Sequence, residues 1–288
     1  MGDLKNYLEA NYNHKQTQPR EENQIGNLLR KVFDRMAQNS AEGERQCLHT
    51  GFLNLDEILG GMEPGELIVL NRESTAGITG FLLRVALHVA QQTDRPVFYF
   101  TSQQPASQLA RRMLSITSQV RLSDLERSQL TEKQWEALYL ASKVLSQKDI
   151  RIYEEHISVE NVNRICQGNG EPALLILDEP NYPYEQAETF FTELKELAAK
   201  MNAVVLCVGW CCDYEICNKA KVDKALRIRM ERHDYSFHTQ ASDVFCEVER
   251  NVNGRRADIC LLWDERTASF FFDIDEKTAC LYRRAQEG

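Results

Sequence analysis

No apolar run in this 288-residue sequence approaches the ~20 residues that a membrane-spanning helix requires. The amino-terminal stretch MGDLKNYLEANYNHKQ also lacks the hydrophobic centre of a signal peptide, so a cytoplasmic location and no membrane partner are expected. Basic residues are in deficit, 34 against 43 acidic, for a net charge of -9. The chain as a whole therefore repels phosphate, and any nucleic-acid contact needs a local basic surface. Disulfide architecture is not expected either, because nine cysteines are an odd number and a chain this long has core enough without covalent staples. Cys211, Cys212 and Cys217 form the one cluster, spaced CCxxxxC with no second pair and no nearby histidine. That is too few ligands for a zinc site, so no metal is expected and the role of the cluster stays open. Repeats and low-complexity tracts are absent as well.

What is present is a globular composition, 43% hydrophobic and 27% charged, enough to bury the core of one large α/β domain with an appendage. Residues 1–23 are polar and without apolar period, a polar arm. Residues 24–47 form a linker helix, with Ile25, Leu28, Leu29, Val32, Phe33 and Met36 on one face and the small and polar run NSAEGE closing it. That face packs either on its own domain or on a neighbouring subunit. From Thr50 onward strand and helix signals alternate: strands at 67–71 and 96–102, helices at 79–92 and 104–119, then a helical pair over 125–146 that contains Trp135. IRIYEE at 150–155, ALLILD at 173–178 and AVVLCVGW at 203–210 are nearly continuous apolar strands, as a parallel sheet buried on both faces requires, and a helix over 184–200 separates the last two. DVFCEVER, ADICLLWD and SFFFDID alternate more, and predict an antiparallel extension.

The segment GELIVLNRESTAGITGF reads as strand, turn-rich loop and helix start, the place where a phosphate-binding loop is built from helix amides and a close-packed backbone. The usual spacing is GxxxxGK followed by serine or threonine. Gly77 and Thr79 stand in register with it, but the lysine is Ile78, the first glycine is Arg72, and Glu73 lies inside the loop. Lysine carries the point charge for the outer phosphates and threonine serves magnesium. Ile78 can supply no charge, Glu73 repels an anion, and a guanidinium at Arg72 has a different reach from an ammonium. Asp178 ends ALLILD where a magnesium-coordinating acid stands opposite such a loop; it serves equally well as a turn or helix cap. The segment is therefore either a plain strand-turn-helix or a vestigial nucleotide site.

The residues also carry a resemblance. From about Leu48 to Arg284 the chain resembles the carboxyl-terminal motor domain of DnaB-type replicative DNA helicases. TGFLNLDEILGGMEPGELIVL is similar to the family's TGFxxLDxxxGGLxPGdLiiv, FYFTSQQPASQLARRMLS to its FSLEMPxxQlxxRxls, and LTEKQWEAL, DIRIYEE and ISVENV follow its next block. ALLILDEP and FFTELKELAAKMNAVVLCV resemble the strand, helix and strand of its second nucleotide motif, while QASDVF and RNVNGRRADICLLWD resemble QDADvv and KxRNGpxGxvxLxf. The resemblance implies a RecA-like P-loop NTPase fold, a mainly parallel sheet flanked by helices with an antiparallel carboxyl-terminal extension.

It also locates what the chain lacks. The family's catalytic glutamate falls on Gln103, an amide that cannot act as a base. The phosphate-sensing glutamine falls near Gly209. Of the lysine and arginine that a neighbour inserts toward the nucleotide, Arg250 keeps the charge and Val252 loses it. Such losses each cost on the order of 10² to 10⁵ in rate, so ATP hydrolysis is not expected, and ATP and magnesium would matter only if the altered site still bound them. The family's loops for single-stranded DNA correspond to 213–240, and there, from Lys219 to Arg232, Lys219, Lys221, Lys224, Arg227, Arg229 and Arg232 outnumber Asp223 and Glu231, either a solvated face or a track for a phosphate backbone. Three functions are consistent with these residues. One is a non-hydrolysing helicase relative in DNA replication or plasmid and phage maintenance, binding DNA or joining a ring as an oligomer. Another is an adaptor, loader or inhibitor that mimics a helicase subunit and binds a DnaB-type helicase or its loader. The third is an active helicase in which Arg72 or Arg84 replaces the lysine.

Overall fold

The computed structural model describes residues 25–27, 29–30, 33, 47–72, 77–209, 214–232, 242–252 and 255–271. The chain divides into two units, 1–47 and 48–288. In the first, the described residues are helical from Ile25 to Phe33, with Ile25, Leu29 and Phe33 exposed; the polar arm and most of the linker lie outside the described residues.

The second unit is organised by one eight-stranded sheet, in the order β3-β2-β4-β5-β1-β6-β7-β8. Its central strands are β1 (Leu67–Arg72), β2 (Val97–Thr101), β4 (Leu174–Asp178) and β5 (Val204–Gly209), all parallel. They are apolar at successive positions because both sheet faces are covered, so Ile68 and Leu70 enter one core while Leu67 and Val69 enter the other. The helices that cover them include α1 (Leu53–Leu59), α2 (Ile78–Gln92), α3 (Ala106–Ser118), α4 (Leu122–Arg127), α5 (Glu132–Ser146), α6 (Val159–Asn169) and α7 (Ala187–Met201). The helix expected over 184–200 opens as a 3-10 turn, Tyr184–Gln186, before α7 begins. After the short α8 (Tyr214–Lys219) come β6 (Lys224–Arg232), β7 (Ser242–Asn251) and β8 (Asp258–Leu261), with β7 and β8 antiparallel as the alternating sequence implied.

Two expectations need correction. β3 (Ile150–Glu154) is not buried on both faces: it pairs with β2 at the sheet edge, and its residues are half-buried apart from the exposed Glu154. The basic stretch assigned to a loop contains β6, parallel to β1 and antiparallel to β7. Leu226 and Ile228 enter one core and Ala225 the other, so the period of two prevails over the charge of the intervening residues.

The start of β6 is tied down by ion pairs. Lys224, 1% exposed, donates 2.7 Å to the Gly61 carbonyl and pairs with Glu66. Beside it Lys195 pairs at 2.6 Å with Asp223, which also accepts from the Leu67 amide. A small hairpin, β9 (Trp263–Asp264) and β10 (Ser269–Phe270), closes over α2. Phe270 meets Phe52 and Phe81 edge-on at 6.5 Å, and Trp263 packs on Phe270 at 5.0 Å. Arg84, buried in α2, donates 3.3 Å to Ser269 Oγ and lies near Asp264. Burial holds its pKa below the usual arginine value.

Gly77 shows how closely the hairpin approaches. It has φ +86°, and a Cβ there would come 2.7 Å from Phe270 Cζ and 3.3 Å from Trp263. Gly77→Ala should therefore lower stability by about 1–3 kcal/mol, through strain and overpacking, measured by urea denaturation.

Candidate nucleotide site

The carboxyl ends of parallel strands are where an open α/β sheet holds ligands. In this domain β2, β4 and the amino terminus of α2 bring Thr101, Asp178, Gly77, Ile78 and Thr79 to that end. Residues 73–76 and the side chain of Arg72 lie outside the described residues, Glu73 among them. The first amides of α2 would favour an anion. The side chain at the lysine position points elsewhere: Ile78 is 4% exposed and belongs to the core with Phe81 and Leu82.

The neighbouring polar groups are already engaged. Thr79 Oγ1 accepts from Gln104 Nε2 at 3.0 Å. Gln104 is held by the turn after β2, where Thr101 Oγ1 accepts from its amide at 3.2 Å and donates to its carbonyl at 3.1 Å. Asp178 is 2% exposed, and its Oδ2 accepts from Tyr99 Oη at 2.6 Å. Burial, then the charge of Asp178, pushes the Tyr99 phenol well above its ordinary pKa, so it stays protonated and donates. Arg112 donates 3.0 Å to the Ala268 carbonyl and lies within electrostatic reach of Tyr99 and Asp178. Burial lowers its pKa, against the pull of those two groups. Gln103, at the position of the family's glutamate, is exposed. Across the loop, Ser102 Oγ donates 2.7 Å to the carbonyl of Glu179, a residue with φ +61°.

The other residues singled out from the sequence do not join this site. Arg250 is opposite Ala225 near the start of β6, and its Nε donates 2.6 Å to the Val222 carbonyl while Nη1 bonds Asn218 of the same chain. Val252 is exposed beside it, its amide bonded to the Asp223 carbonyl. Of the basic stretch, Lys224 is buried, Arg227 pairs with Glu249, and Arg229 pairs with Asp258 at 3.1 Å. Lys219 is half-exposed between Glu188 and Glu215, Lys221 is exposed, and the side chain of Arg232 lies outside the described residues. Arg84, a candidate replacement for the lysine, is taken up by the β9–β10 hairpin. Cys217 is buried, while Cys211 and Cys212 lie outside the described residues. Sequence reasoning missed Tyr99, Gln104 and Arg112. For Tyr99 the signal was there, since a hydroxyl in a strand buried on both faces must find a partner.

Comparison with known proteins agrees with the resemblance and the fold class read from the sequence. The model of the DnaB-like helicase C-terminal domain family matches residues 47–178. The replicative DNA helicase DnaC of Bacillus subtilis is 32% identical over 145 residues, 50% of this chain and 32% of its own length. Replicative DNA helicase DnaB of Helicobacter pylori is 30% identical over 198 residues, 63% of this chain and 40% of that protein. The aligned chain thus spans about a third to two-fifths of these curated relatives. Among solved structures, one described as an ATPase domain superposes with TM-score 0.72 at 16% identity, covering 88% of this chain and all of that one. A DnaB-like replicative helicase described with its primase interactions gives TM-score 0.68 at 15% identity, over 95% of this chain and 71% of that one. No helix among the described residues is long and apolar enough to cross a membrane. Residues 47–178 are thus similar in sequence to the DnaB-like helicase C-terminal domain, and the fold of the chain is that of a helicase ATPase domain.

Proposed function

We propose that the chain is a DnaB-like helicase relative that does not hydrolyse ATP and serves DNA replication, or plasmid or phage maintenance, by associating with a helicase-type assembly. Ile78 carries this reading. At the first position of α2 a nucleotide site needs a cation, and here an aliphatic side chain is packed into the core. An isoleucine cannot neutralise the outer phosphates of a triphosphate. Calorimetric titration of the pure chain with ATP and magnesium should give no binding heat, and a phosphate-release assay should stay at background. Saturable binding with turnover would overturn the reading and restore the active-helicase alternative.

Two observations favour association with protein over a grip on DNA. Lys224, Arg227 and Arg229 are spent on internal ion pairs, which leaves little of the basic stretch for phosphates. On α5, Trp135 and Tyr139, one turn apart, are exposed, and so are Leu140 and Val144, large apolar side chains such as subunit contacts use. The exposed Ile25, Leu29 and Phe33 of the first unit support the same reading. Sedimentation of the chain, alone and mixed with an intact DnaB-type helicase without DNA, should show a complex or an oligomer that Trp135→Ala with Tyr139→Ala weakens at least about tenfold. Tight binding to single strands, falling steeply with salt and independent of Trp135, would favour the DNA reading instead.

A further inference from the structure

A phosphate-loop site holds magnesium through the loop threonine and the acid at the end of the neighbouring strand. The matching side chains here are Thr79 and Asp178, and each spends an oxygen on a hydrogen bond within the protein. Thr79 Oγ1 accepts the Gln104 amide hydrogen at 3.0 Å, and Asp178 Oδ2 accepts the Tyr99 hydroxyl at 2.6 Å. Magnesium asks for octahedral oxygen ligands and keeps several waters around it. Asp178 is 2% exposed beneath a fully buried tyrosine, so that shell could form only where the groups bonded to its carboxylate gave way. Arg112, held by the Ala268 carbonyl at 3.0 Å, already places a positive charge within electrostatic reach of Asp178, which disfavours a second cation there. Coordination through Oδ2 would strand a buried phenol hydroxyl without an acceptor, which is unfavourable in a dry interior. The residues present therefore do not fit a divalent cation.

We infer that Tyr99, Gln104 and Arg112 close this site to magnesium, with Tyr99 as the positioning residue that withholds Asp178. The inference deepens the reading of a non-hydrolysing site and rests on it, but its test uses metal without nucleotide. Electron paramagnetic resonance of Mn²⁺ alone would be recorded with the unmodified chain, with Tyr99→Phe, and with Tyr99→Phe combined with Asp178→Asn. The unmodified chain should leave the signal of free aqueous Mn²⁺ unchanged at millimolar metal. Tyr99→Phe keeps the ring in the core and removes the hydroxyl bonded to Oδ2, so Mn²⁺ affinity should rise about tenfold or more, and Asp178→Asn should abolish that gain. Mn²⁺ bound by the unmodified chain and lost on Asp178→Asn would overturn the inference, as would a folded Tyr99→Phe chain that binds no more tightly. Should Tyr99→Phe fail to fold, Gln104→Ala, which frees Thr79, meets the same standard: a gain in Mn²⁺ affinity supports the inference and its absence overturns it. Mn²⁺ bound at Asp178 by a chain that gives no heat with ATP and magnesium would defeat this inference alone. Heat with ATP and magnesium would defeat the reading beneath it.

Discussion

Lys224→Met should destabilise the domain by about 3 kcal/mol, because it removes one member of a buried ion pair and leaves the other charge behind. Lys224 is 1% exposed and the Glu66 side chain 15%, so water screens the pair little. The ammonium also satisfies the Gly61 carbonyl at 2.7 Å, while Glu66 accepts from the Glu63 amide at 2.9 Å. The methionine stem fills most of the lysine's volume, which keeps packing loss small and isolates the charge. Urea denaturation of the single variant and of Lys224→Met with Glu66→Gln measures this, and the double variant should recover part of the loss. The same experiment separates two roles for this lysine. A phosphate contact would leave stability unchanged and reduce the salt dependence of single-strand binding by about one unit of slope. A structural pair lowers the urea midpoint and leaves that slope alone.

That lysine also marks the limit of what the sequence disclosed. Runs such as LLILD and VVLCVG are apolar at every position, and only a strand covered on both faces uses such a pattern, so β4 and β5 were legible. IRIYE has a similar appearance, yet among the described residues it pairs on one side only; strand order decides burial, and order is not written in a single strand. KALRIRMER alternates as a strand should, but the resemblance placed DNA-binding loops there, and the acids that neutralise its cations, Glu66, Glu249 and Asp258, are remote in sequence. The site divides in the same way. Ile78 could be read at once, since a charge was missing at a fixed spacing and an isoleucine seeks burial. Tyr99 signalled only that its hydroxyl needed a partner, and neither it nor Gln104 disclosed which, because their partners come from β4 and α2, and the contacts exist only after β2 pairs beside β4.

Asp56→Ala should cost a similar amount, about 3 kcal/mol, for a different reason. Its carboxylate gathers the chain just before α1: Oδ1 accepts from the Thr50 amide at 2.7 Å and the Thr50 hydroxyl at 2.8 Å, and Oδ2 from the Gly51 amide at 3.0 Å. Alanine strands all three donors in a buried turn. Asp56→Asn keeps an oxygen for Thr50 but sets an amide donor against Gly51, so its loss should be smaller. The two variants also differ with pH. Burial raises the Asp56 pKa above the ordinary 3.8, and outweighs the three donors that lower it. A carboxyl whose folded pKa is raised binds its proton more tightly in the folded state. Its contribution to stability is therefore complete below 3.8 and declines as pH rises through the folded value. Asparagine does not titrate, so the advantage of the unmodified chain over Asp56→Asn should be larger near pH 4 than near pH 7, read from urea midpoints of both chains in the same buffers. An advantage that instead grows toward neutral pH would mean that the three donors outweigh burial, and that the turn is held chiefly by the charge.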